Sequence, residues 1–296
     1  MSVPSGVGRI TVIGVGLIGG SLARAVRTAG WADEIVGCGR DPAHLEEARS
    51  LAVIDRYETD IPAAVADADV IIIAVPLGAM RTVLEQVADG AAAEAIITDV
   101  GSAKGSVASA ARAALGTHLP YFVPGHPIAG TEKSGVAASF AELFVGHSVI
   151  LTPLPETHRE AIAKIDAMWT CAGARVMTME VEHHDSVLAA TSHLPHVLAY
   201  SLVDTLARMD DSEEIFRYAA GGFRDFTRIA SSDPLMWRDI CLANRDALLE
   251  GLDRFTGGLG ELRRQLEAGD GEGLMKMFAR AKAVRDKMIK NVKRET

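Results

Sequence analysis

Arg9-Ile10-Thr11-Val12-Ile13-Gly14-Val15-Gly16-Leu17-Ile18-Gly19-Gly20-Ser21-Leu22-Ala23-Arg24-Ala25-Val26 is the stretch that decides the fold. A β-branched run enters a Gly-x-Gly-x-x-Gly turn and leaves as a helix-forming segment, the order that a dinucleotide-binding βα unit requires. Gly14 permits the tight turn, and Gly16 lets the main chain approach a pyrophosphate. Gly19 lets helix and strand pack closely, while the free N–H groups at the helix start face phosphate charge. Leu17 and Ile18, between the last two glycines, belong to the same cofactor-binding turn.

Working outward, further βα units follow. Glu34–Cys38 reads as a second strand, and Pro42 opens a helix through about Ser50. Asp69–Val75 is nearly pure apolar, as in a parallel strand buried on both faces, and Pro76 ends it. Gly78–Ala88 reads as helix, Ala95–Val100 as strand, and Gly101-Ser102-Ala103-Lys104 turns into another helix. Tyr121–Val123 is a short strand running into a Pro124-Gly125-His126-Pro127 loop. Ser148–Leu151 and Ala174–Met177 bracket a helix near Glu156–Cys171. This alternation predicts an α/β, Rossmann-type, doubly wound parallel sheet. From Val181 onward only helical periodicity remains, so the domains expected are 1–179, nucleotide-binding, and 180–296, all-α for substrate and dimerisation. Ser232-Asp233-Pro234 is a helix start, and Trp237, Ile240, Asn244, Leu248, Gly251 and Phe255 follow at helical spacing. Helices this apolar suggest subunit packing, hence a homodimer.

The net charge of −9 argues against a nucleic-acid footprint. The basic run Lys276, Arg280, Lys282, Arg285, Lys287, Lys290, Lys293 and Arg294 reads as the solvated face of a last helix. Cys38, Cys171 and Cys241 are few and far apart, so no disulfide framework is indicated. With no secretory leader pattern and no bilayer-length apolar run, a reduced, cytoplasmic protein away from the membrane is expected.

Ligands of doubly wound sheets bind beyond the carboxyl ends of the strands. Val75-Pro76 falls there and is expected to lie against the cofactor. Ser102 either holds a substrate hydroxyl or caps the helix after it. His126, glycine-flanked at a strand end, is placed to accept a proton near neutral pH. His193 and His196 share a helical face, with His183 and His184 nearby; no cysteine has ligand spacing and no His-Glu-x-x-His occurs, so no metal is expected. Arg224 and Arg228, four apart, share a face; one can clamp a carboxylate, the alternative being an Arg–Asp surface pair with Asp225.

Together these segments resemble the prephenate/arogenate (cyclohexadienyl) dehydrogenase family of tyrosine biosynthesis. The resemblance rests on the Gly14–Leu22 fingerprint and Asp99-Val100-Gly101-Ser102-Ala103-Lys104. It rests further on Gly125-His126-Pro127-Ile128-Ala129-Gly130-Thr131-Glu132-Lys133-Ser134-Gly135, Ser192-His193-Leu194-Pro195-His196, and Gly222–Ala230 with its Asp225-Phe226-Thr227-Arg228 core. It implies oxidative decarboxylation of prephenate or arogenate, with hydride transfer to NAD(P). By similarity His126 is the catalytic histidine that deprotonates the C4 hydroxyl, and Ser102 holds that hydroxyl and orients His126. His196 contacts the substrate side chain, Arg228 binds a carboxylate, and Thr131, Glu132 and Lys133 line or gate the mouth. Tyrosine feedback is common in the family, and a Gly221-Gly222 hinge would permit it.

NAD-specific domains of this kind place Asp or Glu at the end of the second strand, on the ribose 2′-hydroxyl. Here Gly39 stands there, followed by Arg40, whose guanidinium can bind a 2′-phosphate; Asp41 can blunt that argument. NADP is therefore favoured over NAD. The rival readings are a β-hydroxyacid or imine reductase, which would take a catalytic lysine from the helical domain, and a catalytically silent nucleotide-sensing regulator.

Overall fold

The computed structural model describes residues 6–295, with side chains through residue 289. The elements run β1 (Val7–Ile13), α1 (Leu17–Thr28), β2 (Ala32–Cys38), α2 (Pro42–Ser50), β3 (Arg56–Glu58), α3 (Ile61–Val65), β4 (Val70–Ile73), α4 (Met80–Gly90), β5 (Ile96–Asp99), α5 (Lys104–Ala114), β6 (Phe122–Val123), β7 (Gly125–Pro127), β8 (Ser148–Leu151), α6 (Arg159–Cys171) and β9 (Arg175–Thr178). Helices only follow: α7 (Val181–Leu188), α8 (Leu194–Ala207), α9 (Ser212–Arg217), α10 (Gly221–Thr227), α11 (Pro234–Ala243), α12 (Arg245–Ala268) and α13 (Gly271–Glu295). The fold is the expected α/β, Rossmann-type sheet followed by an all-α part.

Six parallel strands stand in the order β3-β2-β1-β4-β5-β6. The order reverses between β1 and β4, and at such a switch point the loops beyond the strand ends open a crevice. Alternate residues of the central strands serve two cores. Ile10, Val12, Val70 and Ile72 pack with Leu22 and Val26 on one face. Ile13, Ile71 and Ile73 pack with Leu84 and Val87 on the other. Burial on both faces is why β1 and β4 read as unbroken apolar runs rather than alternating ones.

The sheet is not single, which corrects the sequence reading. Gly125–Pro127, read as a loop, is β7. It pairs antiparallel with β8, which pairs parallel with β9, forming a separate three-stranded sheet. Pro124 has no N–H to continue the first ladder. Its carbonyl instead accepts from Thr152 at 2.9 Å, and the chain changes sheets there. β3 escaped notice because three half-buried residues, Arg-Tyr-Glu, show no apolar pattern; Arg56 pairs with Glu34 and Glu58 instead.

By contacts the chain forms two compact units, Met1–Arg245 and Asp246–Thr296. The division falls later than the change of period near residue 180, because α7 to α11 bond to the sheet side, as through Lys104 and Gly78 to Asp185 and Asp239. In the second unit α12 and α13 meet at Gly269, whose φ of +63° favours glycine, and Asp270 caps the start of α13 by accepting from the Gly273 N–H at 2.9 Å. Pairs such as Glu272–Lys276 line the exposed face of α13; the side chains of Lys290, Lys293 and Arg294 lie outside the described residues.

The predicted stripe from Trp237 to Phe255 is not one helix. Asn244, at φ −114° and ψ 37°, separates α11 from α12, and Phe255 is exposed. At the break the Asn244 amide donates to the Asp185 carbonyl at 2.8 Å, a buried polar contact. The Asp233 cap stands as expected, accepting from the Met236 N–H at 2.8 Å ahead of Pro234.

Candidate active site

The glycine turn has the geometry its glycines demand. Gly14 sits at φ +93°, and a Cβ there would stand 2.3 Å from the Ala74 carbonyl oxygen. A Cβ on Gly19 would stand 2.2 Å from the Gly14 oxygen, while Gly16 has open space before it. Gly16 caps α1 with no side-chain bond, and no acidic residue occupies the first turn of the helix. Unsatisfied N–H groups, the positive end of the helix dipole and an open approach suit a phosphate, so the residues fit a dinucleotide. The His44 ring bonds the Val15 carbonyl at 2.9 Å and steadies the turn from α2. Beyond β2, Gly39 precedes an exposed Arg40. The Asp41 carboxylate is engaged as the α2 cap, accepting from the Ala43 N–H at 2.9 Å. Val75 and Pro76 follow β4 after Ala74, beside the glycine turn, where Val75 lies 3.3 Å from the position of a Gly14 Cβ.

A second group of side chains assembles beyond β5. Asp99 and Lys104 are both fully buried and pair at 2.6 Å. The Lys104 ammonium also donates to the Gly125 carbonyl at 2.6 Å, and Asp99 accepts from the Gly101 N–H at 2.7 Å. A buried ion pair of this kind holds the β5 turn against the strand that carries His126. His126 is buried, and its Nδ1 lies 2.9 Å from Nε2 of His184. His184 Nδ1 in turn lies 2.8 Å from the Asp185 carboxylate. That carboxylate accepts the Lys104 and Gly105 N–H groups, both at 2.8 Å, and so caps α5 from a different helix.

This arrangement answers the two readings of Ser102. It does not cap α5: Ala103 holds the cap position, and Asp185 satisfies the first N–H groups. Among the described residues, the side chain bonded to His126 Nδ1 is His184. Ser102 remains half-buried at the turn beside His193, where its main chain favours a proton on that ring.

His193 is buried, with Nδ1 3.1 Å from the Asn244 amide. His196 is half-buried. Its Nδ1 donates to the Ser192 carbonyl at 2.8 Å, and its ring stacks on Trp237 with centroids 3.7 Å apart. Arg228 pairs with Glu132, both side chains being exposed. Thr131 and Lys133 are exposed on the same loop, where the Lys133 N–H donates to the Thr131 hydroxyl at 3.2 Å. Arg224 does not reach Asp225; it donates to the Ala219 carbonyl.

The charges tie these positions into one site. Burial, then the nearby Lys104 ammonium and the His184 and His193 rings, hold the His126 pKa well below the usual histidine value. Burial brings His193 down to about 4, against a pull from Asp185 in the other direction. Burial lowers His196 as well, with Arg228 adding to the effect. Burial would raise Asp185, yet the bonds from His184 and the Lys104 and Gly105 N–H groups outweigh it and keep the carboxyl low. His126, His193 and His196 are therefore neutral at neutral pH, near the ionised Asp185 carboxylate, and a neutral imidazole is the form that can accept a proton.

A stability consequence follows. Below about pH 6.5 the unfolded chain's histidines take up protons that folded His193 and His126 refuse. Stability is full above that pH, and the melting temperature is expected to fall steadily as the pH drops from 6.5 toward 4. A melting temperature unchanged across that window would contradict the burial assigned to these rings.

His184, Asp185, Asp99, Lys104, Asn244 and Trp237 carry the site but were given no role by sequence reasoning. Asp99 had a signal, a charge at the end of the buried run Ile96-Ile97-Thr98. His184 and Asp185 had none, because the groups they hold outside α7 lie about 60 to 80 residues away. Among the described residues, no cluster of three or more His, Cys, Asp or Glu has the arrangement of a metal centre. None of the described helices is long and apolar enough to cross a membrane.

Comparison with known proteins agrees with this geometry. The family model described as prephenate dehydrogenase, nucleotide-binding domain, matches residues 22–178, and that described as prephenate dehydrogenase, dimerization domain, matches residues 180–280. A cyclohexadienyl dehydrogenase of Zymomonas mobilis is 42% identical over 280 residues, covering 93% of this chain and 94% of that protein. A prephenate dehydrogenase of Bacillus subtilis is 39% identical over 282 residues, covering 94% and 75%. The crystal structure of Aquifex aeolicus prephenate dehydrogenase in complex with hydroxyphenyl propionate and NAD+ superposes with a TM-score of 0.89 at 36% identity, covering 95% of this chain and 98% of that one. Neither a reductase of the β-hydroxyacid type nor a silent regulator gains support from these matches. The chain belongs to the prephenate dehydrogenase family, whose oxidoreductases carry out the oxidative decarboxylation step of tyrosine biosynthesis with a nicotinamide cofactor.

Proposed function

We propose that His126 is the base of this dehydrogenase, that prephenate, arogenate or both are its substrates, and that NADP is its preferred cofactor. The observation that carries the reading is the buried His126 ring with its Nδ1 engaged by His184, which leaves Nε2 for a substrate hydroxyl. His126 Nε2 takes the C4 hydroxyl proton as C4 is oxidised; loss of the ring carboxylate as carbon dioxide then restores aromaticity and makes the step strongly downhill. Ser102 holds the same hydroxyl, His196 on its Trp237 platform contacts the side chain, and Arg228 binds a substrate carboxylate. Glu132, with Thr131 and Lys133, gates the mouth. Residues 1–179 form the nucleotide-binding domain and 180–296 the helical substrate and dimerisation domain of a cytoplasmic homodimer; the family description of residues 180–280 supports the pairing.

Gly14, Gly16, Leu17, Ile18 and Gly19 would hold the pyrophosphate, and Val75, Pro76 and Ser102 the nicotinamide end. When bound, the nicotinamide accepts the hydrogen and electron pair that leave C4. Gly39 leaves no carboxylate at the end of β2, Arg40 is exposed beside it, and Asp41 is occupied with the α2 cap. These three facts support the NADP preference. A matrix of initial rates for prephenate and L-arogenate against NAD and NADP tests the reading, repeated with added L-tyrosine to test feedback. A higher kcat/KM with NADP is expected; a clear preference for NAD would overturn the cofactor choice, and no turnover in any cell the substrate choice.

Arg228→Ala is expected to raise KM for the acid by about tenfold to a hundredfold, the loss of one charge-assisted contact, with kcat within a few-fold of wild type. Arg228 is 62% exposed, so the melting temperature should hold. An unchanged KM would remove Arg228 from the binding site.

A further inference from the structure

His184 and Asp185, in the middle of α7, are buried directly behind His126, and the chemistry above gives neither a part in moving a proton. We propose that His184 is a positioning residue of this reaction: it holds His126 with Nε2 unprotonated and takes over the His126 Nδ1 proton while the substrate hydroxyl is deprotonated. The proposal rests on the reading of His126 as the base.

The proton positions follow from the hydrogen bonds. An ionised carboxylate only accepts, so His184 Nδ1, 2.8 Å from Asp185, carries a hydrogen. A His184 ring carrying that one hydrogen offers a lone pair at Nε2. Two ring nitrogens 2.9 Å apart share one proton, and it must come from His126 Nδ1. His126 is thereby left with its lone pair at Nε2. Asp185 cannot swing away, because the first two N–H groups of α5 hold both of its oxygens.

The surrounding charges favour moving the proton one ring farther. Lys104 and His193 face His126 and oppose a positive charge there. His184 has the Asp185 carboxylate against it, so an imidazolium at His184 is paired where one at His126 is not. The step balances. The O–H bond of the C4 hydroxyl breaks as N–H forms at His126 Nε2, and the His126 Nδ1–H bond breaks as N–H forms at His184 Nε2. Two electrons leave with the C4 hydrogen to the nicotinamide that the established activity supplies. When the carboxylate departs as carbon dioxide and its bonding pair completes the aromatic ring, both protons return and the oxygen ends as a phenol.

His184→Gln tests this in the full-length enzyme, since glutamine keeps a carbonyl to accept the His126 Nδ1–H but cannot take its proton. The expected result is a fall in kcat of about tenfold to a hundredfold, with KM for the acid changed less than threefold. In the wild-type protein without substrate, ring 15N spectra at neutral pH should show hydrogen on Nδ1 of both His126 and His184. A smaller loss of kcat, a KM change of threefold or more, or hydrogen on Nε2 of either ring overturns the proposal. Should His184→Gln fail to fold, the ring spectra of the wild-type protein decide alone. His126→Asn separates the two readings. Retained turnover there removes His126 as the base; its loss beside a wild-type rate in His184→Gln removes only the role of His184.

Discussion

Replacing His126 with asparagine is expected to lower kcat by about 10²- to 10⁴-fold, the range that a positioned general base supplies. Asparagine preserves a polar side chain at β7 but has no lone pair of comparable basicity to take the hydroxyl proton. The loss should fall on kcat and kcat/KM alike, since the proton moves only as the transition state forms. Initial rates over a range of acid concentrations separate this from a binding defect. In the wild-type enzyme, kcat/KM should hold to below pH 6.5, because burial and the neighbouring Lys104 keep the His126 ring neutral there. A His126→Asn enzyme with a kcat near wild type would end the assignment of His126 as base.

Lys104→Met carries the largest expected cost to stability. Lys104 and Asp99 are both fully buried, so removing the ammonium leaves an uncompensated carboxylate under the β5 turn. Breaking a buried pair in this way destabilises by about 3–5 kcal/mol. The Gly125 carbonyl would lose its donor as well, loosening the strand that carries His126. Denaturant unfolding measures the loss. The double variant Asp99→Asn with Lys104→Met should recover part of it, because the stranded charge is then gone. A single variant as stable as wild type would mean that the pair is solvated, contrary to its burial.

Much of this molecule was legible along the chain. The glycine turn, the two-sided apolar strands and the proline and aspartate helix starts are local features, determined by which residues stand within a few positions of one another. The sheet could be read from Ile10 to Ile97 because a strand buried on both faces has no polar alternation to disguise it. His126, Ser102, His196 and Arg228 could be named as candidates because their segments are distinctive. What those side chains do to each other was not legible. That β7 leaves the main sheet depends on where the Pro124 carbonyl finds a partner, at Thr152. That His126 bonds His184 depends on α7 packing against the start of α5.

The sequence by itself thus determined the dinucleotide turn, the α/β class and the residue types available for chemistry, since these follow from local sterics and burial period. Only the tertiary structure decided which imidazole meets His126 and which carboxylate caps α5. Hydrogen bonds and charge pairs act over about 3 Å, and the chain brings their members that close from 58 to 81 residues apart.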